Sequence, residues 1–161
     1  MFRQMRRKKQ QLDREECVKI LTQATSGVLA VLGDDGYPYA VPLSFAYCDG
    51  HIYFHCAKSG HKLDAIAREE KASFCVIHKD QVVSREYTTY FKSVIAFGRV
   101  RRLDSQEEKW AGIEKIARKY APLDSRENRE QAILKEFPPL CVLEMRIEHL
   151  TGKQSIELVG K

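Results

Sequence analysis

Apolar side chains first recur at helical spacing behind Asp13, where Cys17, Ile20, Leu21 and Ala24 share one face and Asp13 with Glu16 forms a capping box. Gly27 is expected to end that helix. The period then changes to that of strands. Residues 28–32 read as a strand, Asp34-Asp35-Gly36 as a turn, residues 37–47 as one long strand, Asp49-Gly50 as a hairpin turn and residues 51–56 as a third strand. A short helix follows, with Leu63, Ile66 and Ala67 on one face and Arg68, Glu69, Glu70 and Lys71 toward solvent. Residues 72–77 return to strand character, a polar loop comes next, and residues 93–100 form a strand in which Gly98 marks a bulge or bend. Ser105 opens a helix carrying Trp110, Ile113, Ile116, Ala117 and Tyr120, which Pro122 closes, and a second helical piece spans residues 127–137. Past Pro138-Pro139, residues 140–147 are a last long strand, and the polar Thr151-Gly152-Lys153 turn ends the core. Six or so strands joined mostly by turns predict a mainly β fold. Its expected form is a closed, six-stranded antiparallel barrel with peripheral helices, because closure leaves few open edges.

Composition adds limits to this picture. A chain of 161 residues with 43% hydrophobic content can enclose one core, and no internal repeat or linker divides it. Its net charge of +5 comes from Arg3, Arg6, Arg7, Lys8 and Lys9; without them basic and acidic side chains balance at 22 each. We therefore divide the chain into a basic tail, residues 1–12, and a domain, residues 13–161, that has no overall field to attract nucleic acid. The basic residues up to Lys9 are followed by the mainly polar residues 10–16 and not by an apolar segment, so no secretion signal is expected. No apolar run nears the ~20 residues that cross a bilayer, and no membrane role is expected. Five cysteines at irregular spacing, with no C-x-x-C pair, read as reduced thiols of a soluble cytoplasmic protein.

Residues 52–66 carry the most chemistry, because a strand runs through the polar turn Lys58-Ser59-Gly60 directly into a helix. Unpaired N–H groups and the positive end of the macrodipole favour an anion at such a start. Ser59 adds a hydroxyl, Gly60 permits close backbone approach and Lys62 adds a charge. The plainer alternative makes Ser59 the N-cap, with His61 and Lys62 in solvent. His55, at the strand end, can act as a proton donor near neutral pH or stand as a satisfied structural histidine. His55, Cys56, His61, Cys75 and His78 lack the spacing of a metal site, and His55 and Cys56 point to opposite faces of their strand. No metal is expected, and a Cys56 nucleophile is disfavoured for the same reason.

Taken in order, several segments resemble the flavin-binding split β-barrel family that includes pyridoxamine-phosphate oxidases, and more closely its nitroimidazole-resistance (Nim) branch. They are Met5-Arg6-Arg7, the run from Gly36-Tyr37-Pro38 to Ser44, Tyr53-Phe54-His55-Cys56-Ala57 with Gly60-His61-Lys62, Ser73-Phe74-Cys75-Val76, Ser93-Val94-Ile95 with Phe97-Gly98, and Thr151-Gly152-Lys153. The resemblance implies a homodimer with FMN between the subunits. It places Ser59 and Lys62 on the FMN phosphate, with His55, Cys56, Ala57 and His61 lining the same pocket. It lays Pro42, Leu43, Ser44 and Phe45 along the isoalloxazine ring, and brings Lys92, Ser93 and Val94 from the opposite subunit. Thr151 and Lys153 either approach the ring or are simply solvated.

The chain lacks the closing Arg-x-His arrangement that vitamin B6 oxidases direct at their phosphorylated substrate, so B6 oxidation is not expected. Resemblance to the Nim branch implies instead a reductase that takes hydride from NADH or NADPH through FMN to a nitroaromatic or similar small acceptor, with His55 as the catalytic candidate. The missing nicotinamide motif weighs little, because donor and acceptor can use one open flavin face in turn. The rival reading is a non-catalytic flavin- or haem-binding split barrel, in which His55 or His61 can supply an axial nitrogen.

Overall fold

The computed structural model describes residues 1–160. Asp13 accepts a 2.7 Å hydrogen bond from the Glu16 N–H and so starts α1 (Arg14–Gln23), whose Cys17, Ile20 and Leu21 are buried as the periodicity predicts. Glu16 does not complete the expected box; its carboxylate pairs with Lys92 at 2.9 Å, which lowers its pKa. The helix stops at Gln23, and Gly27 lies inside β2 (Ser26–Leu32). Glycine is needed there for packing, since a Cβ would stand 2.4 Å from Cζ of Phe74.

The expected second strand is divided. β3 (Pro38–Ser44) ends before Phe45, and the chain resumes as β4 (Ala46–Cys48). Tyr120 bridges the break: its hydroxyl accepts from the Phe45 N–H at 3.0 Å, and its single proton is shared between the Thr25 carbonyl and the Phe45 carbonyl, the latter 3.2 Å away. Asp49 (φ 47°) and Gly50 (φ 80°) make the two-residue turn into β5 (His51–Ala57). Next, α2 (His61–Arg68) buries Ala65 and Ile66 with Lys62 and Leu63 half-buried, while Ala67, expected on that face, is exposed beyond its rim.

The predicted polar loop after residue 77 is also strand. β6 (Lys71–Val83) and β7 (Thr88–Arg102) form one long hairpin, in which residues 79–83 pair with residues 88–92. Lys79-Asp80-Gln81 offers no apolar alternation, so the ladder there is held by its neighbour and not by a buried face. Gly98 does mark a bulge, where the register of β7 shifts and a Cβ would meet the Arg146 carbonyl oxygen at 2.1 Å. α3 (Gln106–Tyr120) and α4 (Arg126–Glu136) are capped by Ser105 and Ser125. β8 (Leu140–Gln154) runs past its predicted end, so Thr151-Gly152-Lys153 is strand paired with Ile95, Val94 and Ser93, not a turn. Gly152 gives Cys17 and Leu12 room on its other side, and β1 (Gln11–Leu12) pairs with Lys153 and Gly152.

All pairings are antiparallel, and the order is β3-β2-β6-β7-β8-β5-β4, with β1 added on β8. The fold is thus mainly β with peripheral helices, as expected, but the sheet has eight strands, not six, and hydrogen bonding does not close it. β1 and the division at Phe45 account for the additional two. The edge strands β3 and β4 follow one another in the chain and meet at Phe45, so the barrel is joined covalently where it is split. Inside it lie Phe45, Phe54, Phe74, Leu29, Val76, Val94 and Leu143. A second apolar cluster, with Tyr53, Ile113, Ile116, Ile133 and Val142, forms where α3 and α4 cover the outer face of β4, β5 and the start of β8. Among the described residues no helix is long and apolar enough to cross a membrane.

Candidate functional site

The residues singled out in the sequence fall into three places. The first is the turn from β5 into α2. Gly60, not Ser59, occupies the cap position, with φ 135° and open space where a Cβ would project, and no side chain caps the helix. The Leu63 and Asp64 N–H groups reach the Gly60 carbonyl at 2.9 and 3.2 Å. Helix geometry leaves the N–H groups of His61 and Lys62 without such an acceptor. Ala57 and Ser59 are exposed beside them, and Lys62 makes no ion pair among the described residues. The arrangement can receive an anion.

Two neighbours do not face that space as expected. His61 stacks on Tyr39, with ring centroids 4.1 Å apart, and its Nε2 lies 3.4 Å from the Asp34 carboxylate, so it braces the β2–β3 turn. Cys56 turns to the inner side, opposite Cys141 on β8. Burial above all, then the Cys141 thiol, pushes the Cys56 thiol up to about 11. A thiol held protonated in this way is a poor nucleophile.

The second place is a cavity of about 400 Å³ between β5 and the two long helices. Ser44 and His55 form one wall, while Ile113, Ile116 and Tyr120 from α3 and Arg129, Ile133 and Glu136 from α4 form the other. His55 is exposed into this space because its strand neighbours Phe54 and Cys56 face inward. The lining is mostly apolar with a few polar groups, the usual character of a small-molecule pocket. The sequence pattern places Tyr120 only among the helical positions with Trp110, Ile113, Ile116 and Ala117, and it assigns Arg129 no role. The spacing of Arg129 four residues before Ile133 was the available signal, since it puts a cation on the buried face of α4. A larger groove of about 680 Å³ lies between α2 and β7, but its lining of Arg68, Glu69, Glu70, Arg101 and Arg102 contains none of the predicted site residues.

The third place is the outer face of the sheet that no helix covers. Pro42, Val28, Cys75, Ile95 and Thr151 stand in one row across β3, β2, β6, β7 and β8. Ser93 and Lys153 are directly paired in the next row. Lys92 is held by Glu16, and Lys153 lies 5.6 Å from the Phe91 ring. Val94 and Phe45 are fully buried, and Leu43 packs on the core, so these three side chains serve the interior. Of residues 42–45, Pro42 and Ser44 present side chains outward. A single chain therefore does not unite the Lys92, Ser93, Thr151 and Lys153 group with the turn at Lys62. Among the described residues no three His, Cys, Asp or Glu side chains are grouped to hold a metal ion.

Residues 13–154 match the family model described as pyridoxamine 5'-phosphate oxidase. The chain belongs to this family. Its fold is similar to that of several solved structures. One is a provisionally named 5-nitroimidazole antibiotic resistance protein from Bacteroides thetaiotaomicron, with TM-score 0.76 and 22% identity over 89% of this chain and 86% of that one. Another is a FAD-binding protein from Mesorhizobium loti, with TM-score 0.65 and 26% identity over 90% and 96%. A third, the FAD and heme binding protein from Mycobacterium smegmatis, gives TM-score 0.73 and 20% identity over 92% and 74%. No curated protein matches the chain.

Proposed function

We propose that this pyridoxamine 5'-phosphate oxidase family member is an FMN-dependent reductase, a homodimer that takes hydride from NADH or NADPH and reduces a nitroaromatic or similar small acceptor. The observation that carries the reading is that one element, β5 with its turn, joins both halves of a site: His55 on the cavity wall and the uncapped helix start at Lys62. Flavin-binding relatives of the same fold support it.

The residues at the turn fit a phosphate. The Ser59 hydroxyl, the free N–H groups of His61 and Lys62 and the Lys62 ammonium are all donors, and the open side of Gly60 admits a close approach. When bound, FMN supplies a two-electron hydride carrier, which no side chain can. Ser44 and Pro42 are the outward residues of the strand on which the ring would rest. His55 can hold a proton at its imidazole and give it to the reduced acceptor. The apolar walls from α3 and Leu140 limit water.

A second copy of the chain would complete the site by covering the bare sheet face. Val28 and Ile95 there are each 37% exposed and Ile77 67%, an apolar surface that a dimer would bury. The same contact would carry Ser93, Thr151 and Lys153 toward the partner's flavin, with Lys92 beside them on the inner face of β7, paired with Glu16. The five cysteines are all free thiols, which suits a reducing compartment, taken here as the cytoplasm.

Anaerobic mixing of the FMN-loaded protein with NADH or NADPH tests the enzyme reading. The expected result is bleaching of the flavin absorbance, followed by its return when a nitroimidazole is added. Flavin that stays oxidised with both nucleotides would make the chain a carrier and not a reductase.

A further inference from the structure

Resting on the reading of the His55 cavity as an acceptor pocket, we infer that its preferred occupant is a small apolar molecule bearing a carboxylate, which Arg129 binds. Arg129 is 9% exposed and lines the cavity from the buried side of α4. Its Nε has no hydrogen-bond partner. Nη1 donates only to the Asp124 carbonyl at 3.3 Å, and no carboxylate among the described residues lies within ion-pairing distance of the guanidinium.

The acidic side chains nearby are committed elsewhere. Oδ1 of Asp124 accepts from the Ser125 N–H at 2.9 Å and from Asn128 Nδ2 at 2.8 Å, which shapes its own loop. Glu114 is held by Nε and Nη2 of Arg118 at 3.1 and 2.7 Å, which above all lowers its pKa, and it meets Arg129 only through a longer-range attraction without a hydrogen bond. Glu136 also lines the cavity, but it is exposed at the last turn of α4. The chain thus places a cation with five donors in an apolar setting and uses few of them. Leaving such a group unpaired costs free energy that a ligand carboxylate, gripped by two parallel N–H donors, would recover. Ile113, Ile116 and Ile133, which share the helical wall with Arg129, ask for an apolar body on the same ligand. A cavity of about 400 Å³ accommodates a single-ring acid, the low end of small-molecule sites. A neutral acceptor of the same size would leave Arg129 as it is.

Calorimetric titration with benzoate and its neutral isostere benzamide tests this on the full chain, with and without FMN. Benzoate is expected to bind at least about tenfold more tightly than benzamide, the value of a charge-assisted hydrogen bond. Arg129→Met should remove that preference by weakening benzoate alone, and Arg129→Lys should keep part of it. Equal affinity for the two probes in the wild-type protein, or no binding of either, overturns the inference. So does a preference that survives Arg129→Met. If that variant does not fold, the wild-type ratio decides. No turnover is read, so a chain that fails to reduce any acceptor can still pass, and an active reductase can still fail.

Discussion

Lys62→Ala is expected to weaken FMN binding by roughly one to two powers of ten while leaving riboflavin nearly unchanged, because about 1.5–3 kcal/mol of charge-assisted hydrogen bonding disappears. Riboflavin shares the ring and the sugar chain but lacks the phosphate that the Lys62 ammonium and the free helix-start N–H groups would meet. The substitution should not disturb the fold. Lys62 makes no ion pair among the described residues, so its removal strands no carboxylate, and alanine suits the first turn of a helix. Quenching of flavin fluorescence measures both affinities. An equal loss for FMN and riboflavin would move the phosphate away from α2.

Phe74→Ala is expected to cost about 3–5 kcal/mol of stability, the upper range for truncating a buried side chain. Phe74 has no exposed surface; its ring meets Phe45 at 4.8 Å and Phe54 at 5.1 Å in edge-on contacts. The same ring lies over Gly27, which has no side chain to move into the space left behind. Phe45 stands at the split between β3 and β4, and Phe54 precedes His55, so the hole would open beneath the proposed site as well. Urea unfolding followed by circular dichroism reads the effect. A loss below about 1 kcal/mol would mean that the three rings do not form the central packing unit.

Local signals in the sequence carried much of the architecture. Asp13, Ser105 and the Asp49-Gly50 pair mark their element boundaries because capping and positive-φ turns are set by a few adjacent residues. Gly98 announced its bulge because a glycine inside a strand pattern is itself the signal, although the carbonyl it makes room for, Arg146, lies on β8. What escaped were features decided by distant partners. Gly27 looks like a helix stop, yet its requirement comes from Phe74, far along the chain. Lys79-Asp80-Gln81 looks like a loop, yet it is strand because β7 lies alongside it. No pattern within residues 37–47 reveals the break at Phe45, since Tyr120 on α3 supplies the partner that makes the break tolerable.

The same division holds at the candidate site. The strand, turn and helix around Ser59, Gly60 and Lys62 were legible because that succession is set by adjacent residues. The contacts of His61 were not legible, since its stacking on Tyr39 and its approach to Asp34 depend on the chain between β2 and β3. Arg129 went unnoticed because a helix with many charges hides which of them is turned inward until the barrel wall is in place.

Gel filtration of the full chain after incubation with FMN, read by absorbance and light scattering together, tests most directly whether a flavin is held between two subunits. A dimer that elutes with stoichiometric FMN, showing the paired near-ultraviolet and blue bands, is the expected outcome. A colourless monomer, with all the FMN in the small-molecule fraction, would contradict both the phosphate site at Lys62 and the role of the bare sheet face.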